Sequence, residues 1–131
     1  MSSELVNPAG LPPAVGFSHL AVTTQGLIFL AGQTGHHQDG SIAPGLVEQF
    51  AQACRNVQTC LLSVGAGGED LVSLQIFVTD LAAYRSALPE LGASYREVFG
   101  KRYPPVALIG VVGLFDPAAQ VELVGVAAAP A

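Results

Sequence analysis

The amino-acid sequence predicts an α+β fold in which two helices lie on one face of a mixed sheet. Short runs rich in β-branched and aromatic residues, bounded by turn signals, occur at residues 18–23, 27–33 and 71–79, and twice more after residue 105. Two intervening stretches carry apolar residues at three- and four-residue spacing, the period of an amphipathic helix. Together the periods read ββαβαββ.

Residues 1–16 are rich in Pro, Gly and Asn and read as an irregular lead-in. Strands 18–23 and 27–33 are joined by Thr24-Gln25-Gly26, a hairpin signature, and residues 35–44 form a loop around Asp39-Gly40. From there Leu46, Phe50, Ala53, Cys54, Val57, Leu61 and Val64 make one face of a helix of about five turns, ended by Gly65, Gly67 and Gly68. Residues 71–79 form a strand, and Asp80 to Tyr84 a short turn of helix. Pro89 suits the first turn of a second helix, whose inner side is Leu91, Tyr95, Val98 and Phe99 and whose stop is Gly100. Pro104-Pro105 break the chain before the last two strands, which are connected through Phe115-Asp116-Pro117.

At 131 residues the chain predicts a single domain, 1–131, large enough for a core without metal or disulfide staples. Half the residues are hydrophobic and only 11% are charged, against roughly 25% in ordinary soluble domains. With one sheet face uncovered, this surplus of apolar surface predicts an oligomer. A net charge of −5 repels a phosphate backbone and argues against nucleic acid as a partner. The sequence has neither a membrane-length apolar helix nor a basic start followed by an apolar run, so no membrane partner is expected. Cys54 and Cys60 fall on different faces of one helix and read as unpaired buried thiols, which suit a cytoplasmic protein.

Most chemically suggestive patterns have a simpler reading. Gly65-Ala66-Gly67-Gly68 follows a helix and contains no lysine, so it reads as a helix stop rather than a phosphate loop. His36-His37 lacks the spacing of a metal site and reads as a solvated loop; no metal or cofactor is expected. His19 reads as a hydrogen-bonded structural residue, since Ser18 beside it in a strand points the other way. Lys101-Arg102 at a helix end complement the helix dipole, with anion binding the second reading. Glu122 is different. After Arg102 the chain has only two charges, Asp116 and Glu122, and Glu122 sits inside an apolar strand. A carboxylate there is solvated at a cleft or hydrogen-bonded, because burying it alone is costly.

Gly16-Phe17-Ser18-His19, Phe29-Leu30-Ala31-Gly32-Gln33, Val78-Thr79-Asp80, Tyr103-Pro104-Pro105 and Val121-Glu122-Leu123, in that order, resemble the RidA/YjgF family. The resemblance runs from about residue 8 to 128. It implies a chorismate-mutase-like fold, a homotrimer around a central barrel of sheets, and small-molecule clefts between subunits. Active members hydrolyse enamines and imines to ketoacids and ammonia, using an arginine to clamp the substrate carboxylate and a glutamate to position water. Here Glu122 stands at the glutamate's position and Val106 at the arginine's. Phe17 replaces the family's tyrosine and Ala31 its serine. The expectation is therefore a metabolite-binding cleft lined by Phe17, Ala31, Gly32, Arg102 and Val106, with Glu122 as polar anchor or general acid/base. The alternative is a deaminase in which Arg102 substitutes for the missing clamp; ribonuclease activity is a third reading, opposed by the charge.

Overall fold

The structure is a computed structural model that describes residues 3–130. One seven-stranded sheet runs in the order β1-β2-β3-β7-β5-β6, with β4 also paired to β7. The strands are β1 (Ser3–Val6), β2 (Leu20–Thr23), β3 (Leu27–Leu30), β4 (Gln33–Thr34), β5 (Leu71–Val78), β6 (Val106–Gly110) and β7 (Val121–Ala128). Only β5 and β6 pair in parallel; the other ladders are antiparallel. The parallel pair follows from a crossover through α2 (Leu81–Ser86) and α3 (Leu88–Phe99), while α1 (Gly45–Leu62) packs beside α3 and over β7.

Both helical periods fold as read. Phe50, Ala53, Cys54, Val57, Cys60 and Leu61 of α1 and Leu91, Tyr95 and Phe99 of α3 are buried. They meet the inward residues of alternating strands, Leu71, Leu74, Ile76 and Val78 of β5 and Val121, Leu123 and Ala127 of β7. Asp80 caps α2 by accepting from the Ala83 N–H at 3.0 Å. The β2–β3 hairpin closes on Gly26, whose φ of 82° suits glycine and few other residues. Both cysteines are buried and free, and desolvation pushes their thiols up to about 12, so neither is a thiolate. Among the described residues no helix is long and apolar enough to cross a membrane.

Two elements differ from the sequence reading. The lead-in is not wholly irregular: Ser3–Val6 pairs antiparallel with Thr23–Leu20 and forms the sheet edge. The run read as one strand over 27–33 is split. Phe29 pairs with Val126 and Gln33 with Leu123, so Leu30, Ala31 and Gly32 stand opposite only Val124 and Gly125. The extra residue is a β-bulge, and such bulges re-aim side chains.

The open face of the sheet has no helix. Phe29, Val124, Val126 and Phe77 lie on it, and Phe29 is 47% exposed. Glu122 lies on this face too, paired with Thr34 on one side and Phe77 on the other.

Candidate functional site

The bulge places Gly32 directly beside Glu122. A Cβ built on Gly32 would sit 2.4 Å from the Glu122 carboxyl carbon, so any side chain there would displace the carboxyl group. Around this pair is a cleft of about 820 Å³ whose walls include Pro12, Val15, Phe17, His19, Ala31 and Phe115. Among the described residues no lysine or arginine lines it. Burial raises the Glu122 carboxyl above its usual value, and no charge or hydrogen bond offsets the effect. The group is thus a half-buried acid at the base of a mainly apolar cleft.

Phe17, Ala31, Gly32 and Glu122, all expected at the site, do converge. Phe17 packs edge-on against His19 at 5.1 Å between ring centroids. His19 is fully engaged. Its Nε2 donates to the Pro12 carbonyl at 2.8 Å, which leaves Nδ1 to accept from the Gln33 amide at 3.2 Å. It braces the bulge and offers no free nitrogen to a substrate.

Arg102 and Val106 lie elsewhere within the chain. The Arg102 guanidinium donates to the Leu71 carbonyl at 2.8 Å, and its own carbonyl accepts from the Tyr95 hydroxyl at 3.0 Å. Leu71 pairs with Ala127, five residues along β7 from Glu122, or roughly 17 Å. Val106 pairs with Leu74, whose side chain faces the helices, so Val106 and Glu122 project from opposite faces of the sheet. Val106 is nevertheless 51% exposed, because it lies on the outer strand β6. A cleft containing both Glu122 and Val106 therefore requires a second copy of the chain.

His36 corrects the sequence reading. It is not a solvated loop histidine: Nε2 meets the Asp116 carboxylate at 2.8 Å, and Nδ1 meets the Thr34 hydroxyl. Thr34, His36 and Asp116 all line the cleft. Asp116 also accepts from the Ala118 N–H at 2.9 Å. That bond first, and His36 second, hold its carboxyl below the ordinary range. His37, in contrast, is exposed as expected. Sequence spacing gave one usable signal for this group: Thr34 and His36 are two apart in extended chain and share a face. Asp116, eighty positions away, had none.

Two buried side chains of α1 hold this group in place. The Asn56 amide donates to the Thr34 carbonyl at 3.0 Å and to the His36 carbonyl at 2.8 Å. Gln49 donates to the Ala118 carbonyl at 3.0 Å and accepts from the Gln120 N–H at 2.8 Å, fixing the loop that carries Asp116. Gly35 allows this close approach; a Cβ there would lie 2.6 Å from the Gln49 Cα. Among the described residues no cluster of three or more His, Cys, Asp or Glu could hold a metal ion.

Comparison with known proteins matches this architecture closely. The family model described as Endoribonuclease L-PSP matches residues 8–129. A RutC family protein of Aquifex aeolicus is 32% identical over 89 residues, covering 67% of this chain and 68% of that protein. RidA from an Antarctic Psychrobacter superposes with a TM-score of 0.83 at 22% identity, over 95% of this chain and 98% of the other. E. coli TdcF, crystallised with bound serine, superposes at 0.85 with 19% identity, over 97% of this chain and 99% of the other. The family match over nearly the whole length, the identity to the RutC family protein and the superpositions lead to one conclusion: this chain belongs to the Endoribonuclease L-PSP family, the family of RidA, YjgF and TdcF.

Proposed function

We propose that the protein forms a homo-oligomer, most simply a trimer, whose intersubunit clefts bind a small and largely apolar metabolite through Glu122. One observation carries this reading: the Glu122 carboxyl lies over Gly32 in an apolar cleft, its affinity for a proton raised by burial and no cation beside it. Closing the cleft with a ligand and a second copy removes more water and favours the neutral carboxylic acid, a hydrogen-bond donor. The apolar open face, with Phe29, Val124 and Val126, supports self-association. A second copy would bring its β6 edge, with Val106 and Arg102, to the mouth of the cleft.

Deamination of 2-imino acids is not the principal activity in this reading. A carboxylate substrate entering beside Glu122 meets an acid, and valine occupies the position of the clamp. Losing a desolvated arginine–carboxylate pair costs several kcal/mol, about 10²-fold or more in rate. Arg102 is a poor substitute because its guanidinium is already bonded to Leu71. Ribonuclease activity is disfavoured by the net charge of −5 and by a cleft with two carboxylates and no Lys or Arg.

The test is to generate 2-iminobutyrate with an amino-acid oxidase and trap it with semicarbazide. At catalytic protein concentrations, trapping should proceed undiminished. Suppression of trapping would overturn the reading, and loss of that suppression in Arg102→Ala would identify the substitute clamp.

A further inference from the structure

The geometry points to Thr34, His36 and Asp116 as a nucleophile–base–orienter triad that hydrolyses neutral carboxylic esters in the same cleft as Glu122. The hydrogen bonds run in the order such chemistry needs. Asp116 accepts from His36 Nε2 at 2.8 Å, so in the neutral imidazole Nδ1 is the nitrogen with the free lone pair. That nitrogen meets the Thr34 hydroxyl, which donates to it. Thr34 is the residue paired across the ladder with Glu122, and such partners have Cα atoms about 5 Å apart. Hydroxyl and acid therefore stand side by side on one face of the sheet.

The group is also preorganised. Asn56 fixes the backbone on either side of Gly35 through the carbonyls of Thr34 and His36, and Gln49 fixes the loop just beyond Asp116. Both side chains are almost wholly buried, Gln49 at 2% exposure and Asn56 at 3%. Supporting hydrogen bonds of this kind hold a constellation near its productive geometry.

The substrate class follows from the lining. Pro12, Val15, Phe17 and Phe115 favour an apolar body, and the absence of Lys and Arg disfavours an anion. In the reaction, the Thr34 oxygen attacks the ester carbonyl carbon while its proton passes to His36 Nδ1. The tetrahedral oxyanion accepts a hydrogen bond from the Glu122 carboxylic acid. Collapse breaks the carbon–alkoxy bond, and the alcohol leaves with the proton from His36. Water then gives its proton to the same nitrogen and attacks the Thr34 ester, which releases the carboxylic acid and restores the hydroxyl. Glu122 donates in this step only if it is neutral, so the inference rests on the reading of Glu122 given above.

The experiment uses p-nitrophenyl butyrate with the full-length protein and its Thr34→Ala, Thr34→Ser, His36→Gln and Asp116→Asn variants, with His37→Ala as control. Wild type and His37→Ala should hydrolyse the ester equally. Thr34→Ala and His36→Gln should lose about 10²-fold or more, while Thr34→Ser retains turnover. Asp116→Asn, at a positioning residue, should lower kcat with KM little changed. Intact mass spectrometry after rapid acid quench should find a butyryl group on Thr34 in the wild type and none in Thr34→Ala. Binding of butyramide, a neutral and slowly reacting analogue, is measured in parallel by calorimetry. Butyramide binding with no Thr34-dependent turnover overturns the triad and leaves the cleft reading standing. Absence of both turnover and binding overturns the triad and the cleft reading together.

Discussion

On the β4–β7 side of the sheet, Gly32, Thr34, His36, Asp116 and Glu122 come together within one chain. At the β6 edge, Val106 and Arg102 face away from them: one lies on the helix side of the sheet and the other is bonded to the start of β5. The first region is built from close contacts, where an added Cβ meets the Glu122 carboxyl at Gly32 and helix backbone at Gly35, while the second leaves half of Val106 in water. The difference separates a cleft that the chain makes by itself from an edge that only another copy of the chain could bring to it. Substitutions in the first region should therefore alter fold and chemistry together. Those at the edge should leave the isolated cleft as it is.

The largest expected effect is at Gly35. Its neighbour in α1 is backbone, the Cα of Gln49 at 2.6 Å from a built Cβ, so no rotamer change relieves the clash. Gly35→Ala should destabilise by about 3 kcal/mol, read by urea unfolding, and should separate β4 from α1. Gly32→Ala meets the end of a flexible side chain instead. It should cost about 1 kcal/mol in stability yet weaken cleft ligands by tenfold or more, measured by calorimetry. If affinity survives, the carboxyl group does not need its place over Gly32.

Glu122→Gln should act through pH. Burial raises the folded-state affinity of Glu122 for its proton. Its favourable contribution is therefore present below the unfolded-state value and lost as pH rises through the folded one. At neutral pH the ligand-free wild type carries that cost, which glutamine avoids. The variant should melt higher near pH 7, and the gap should close by about pH 4, where an unperturbed glutamate takes up its proton. A gap independent of pH would mean that burial of Glu122 is not its cause. The smallest effect is at the edge. Arg102→Ala removes one hydrogen bond from an exposed side chain, which should cost about 1 kcal/mol or less and leave affinity for a neutral ligand unchanged.

Much of this was legible in the sequence, for reasons that can be named. The helices were, because burial on one face imposes a period that Phe50, Cys54, Val57 and Leu61 display. The strand with Glu122 was, because an apolar run makes a lone carboxylate conspicuous. β1 was not: its four residues form a sheet edge with Leu5 facing out, and their partner is another segment. The bulge at Leu30–Gly32 was invisible because it exists only as a register difference against β7. The His36–Asp116 contact is hidden for the same reason. A histidine's environment is set by what packs beside it, and Asp116 arrives from the β6–β7 connection.

The central claim is that this cleft receives its ligand with an acid rather than a cation. The most direct measurement is calorimetric titration of the intact protein with 2-oxobutyramide and 2-oxobutyrate, which share a skeleton and differ in charge. The neutral amide should bind at least about tenfold more tightly, a difference of about 1.4 kcal/mol, and Glu122→Gln should narrow the gap. Tighter binding of the carboxylate would contradict the claim and would mean that a cation, from this chain or a neighbouring copy, reaches the site.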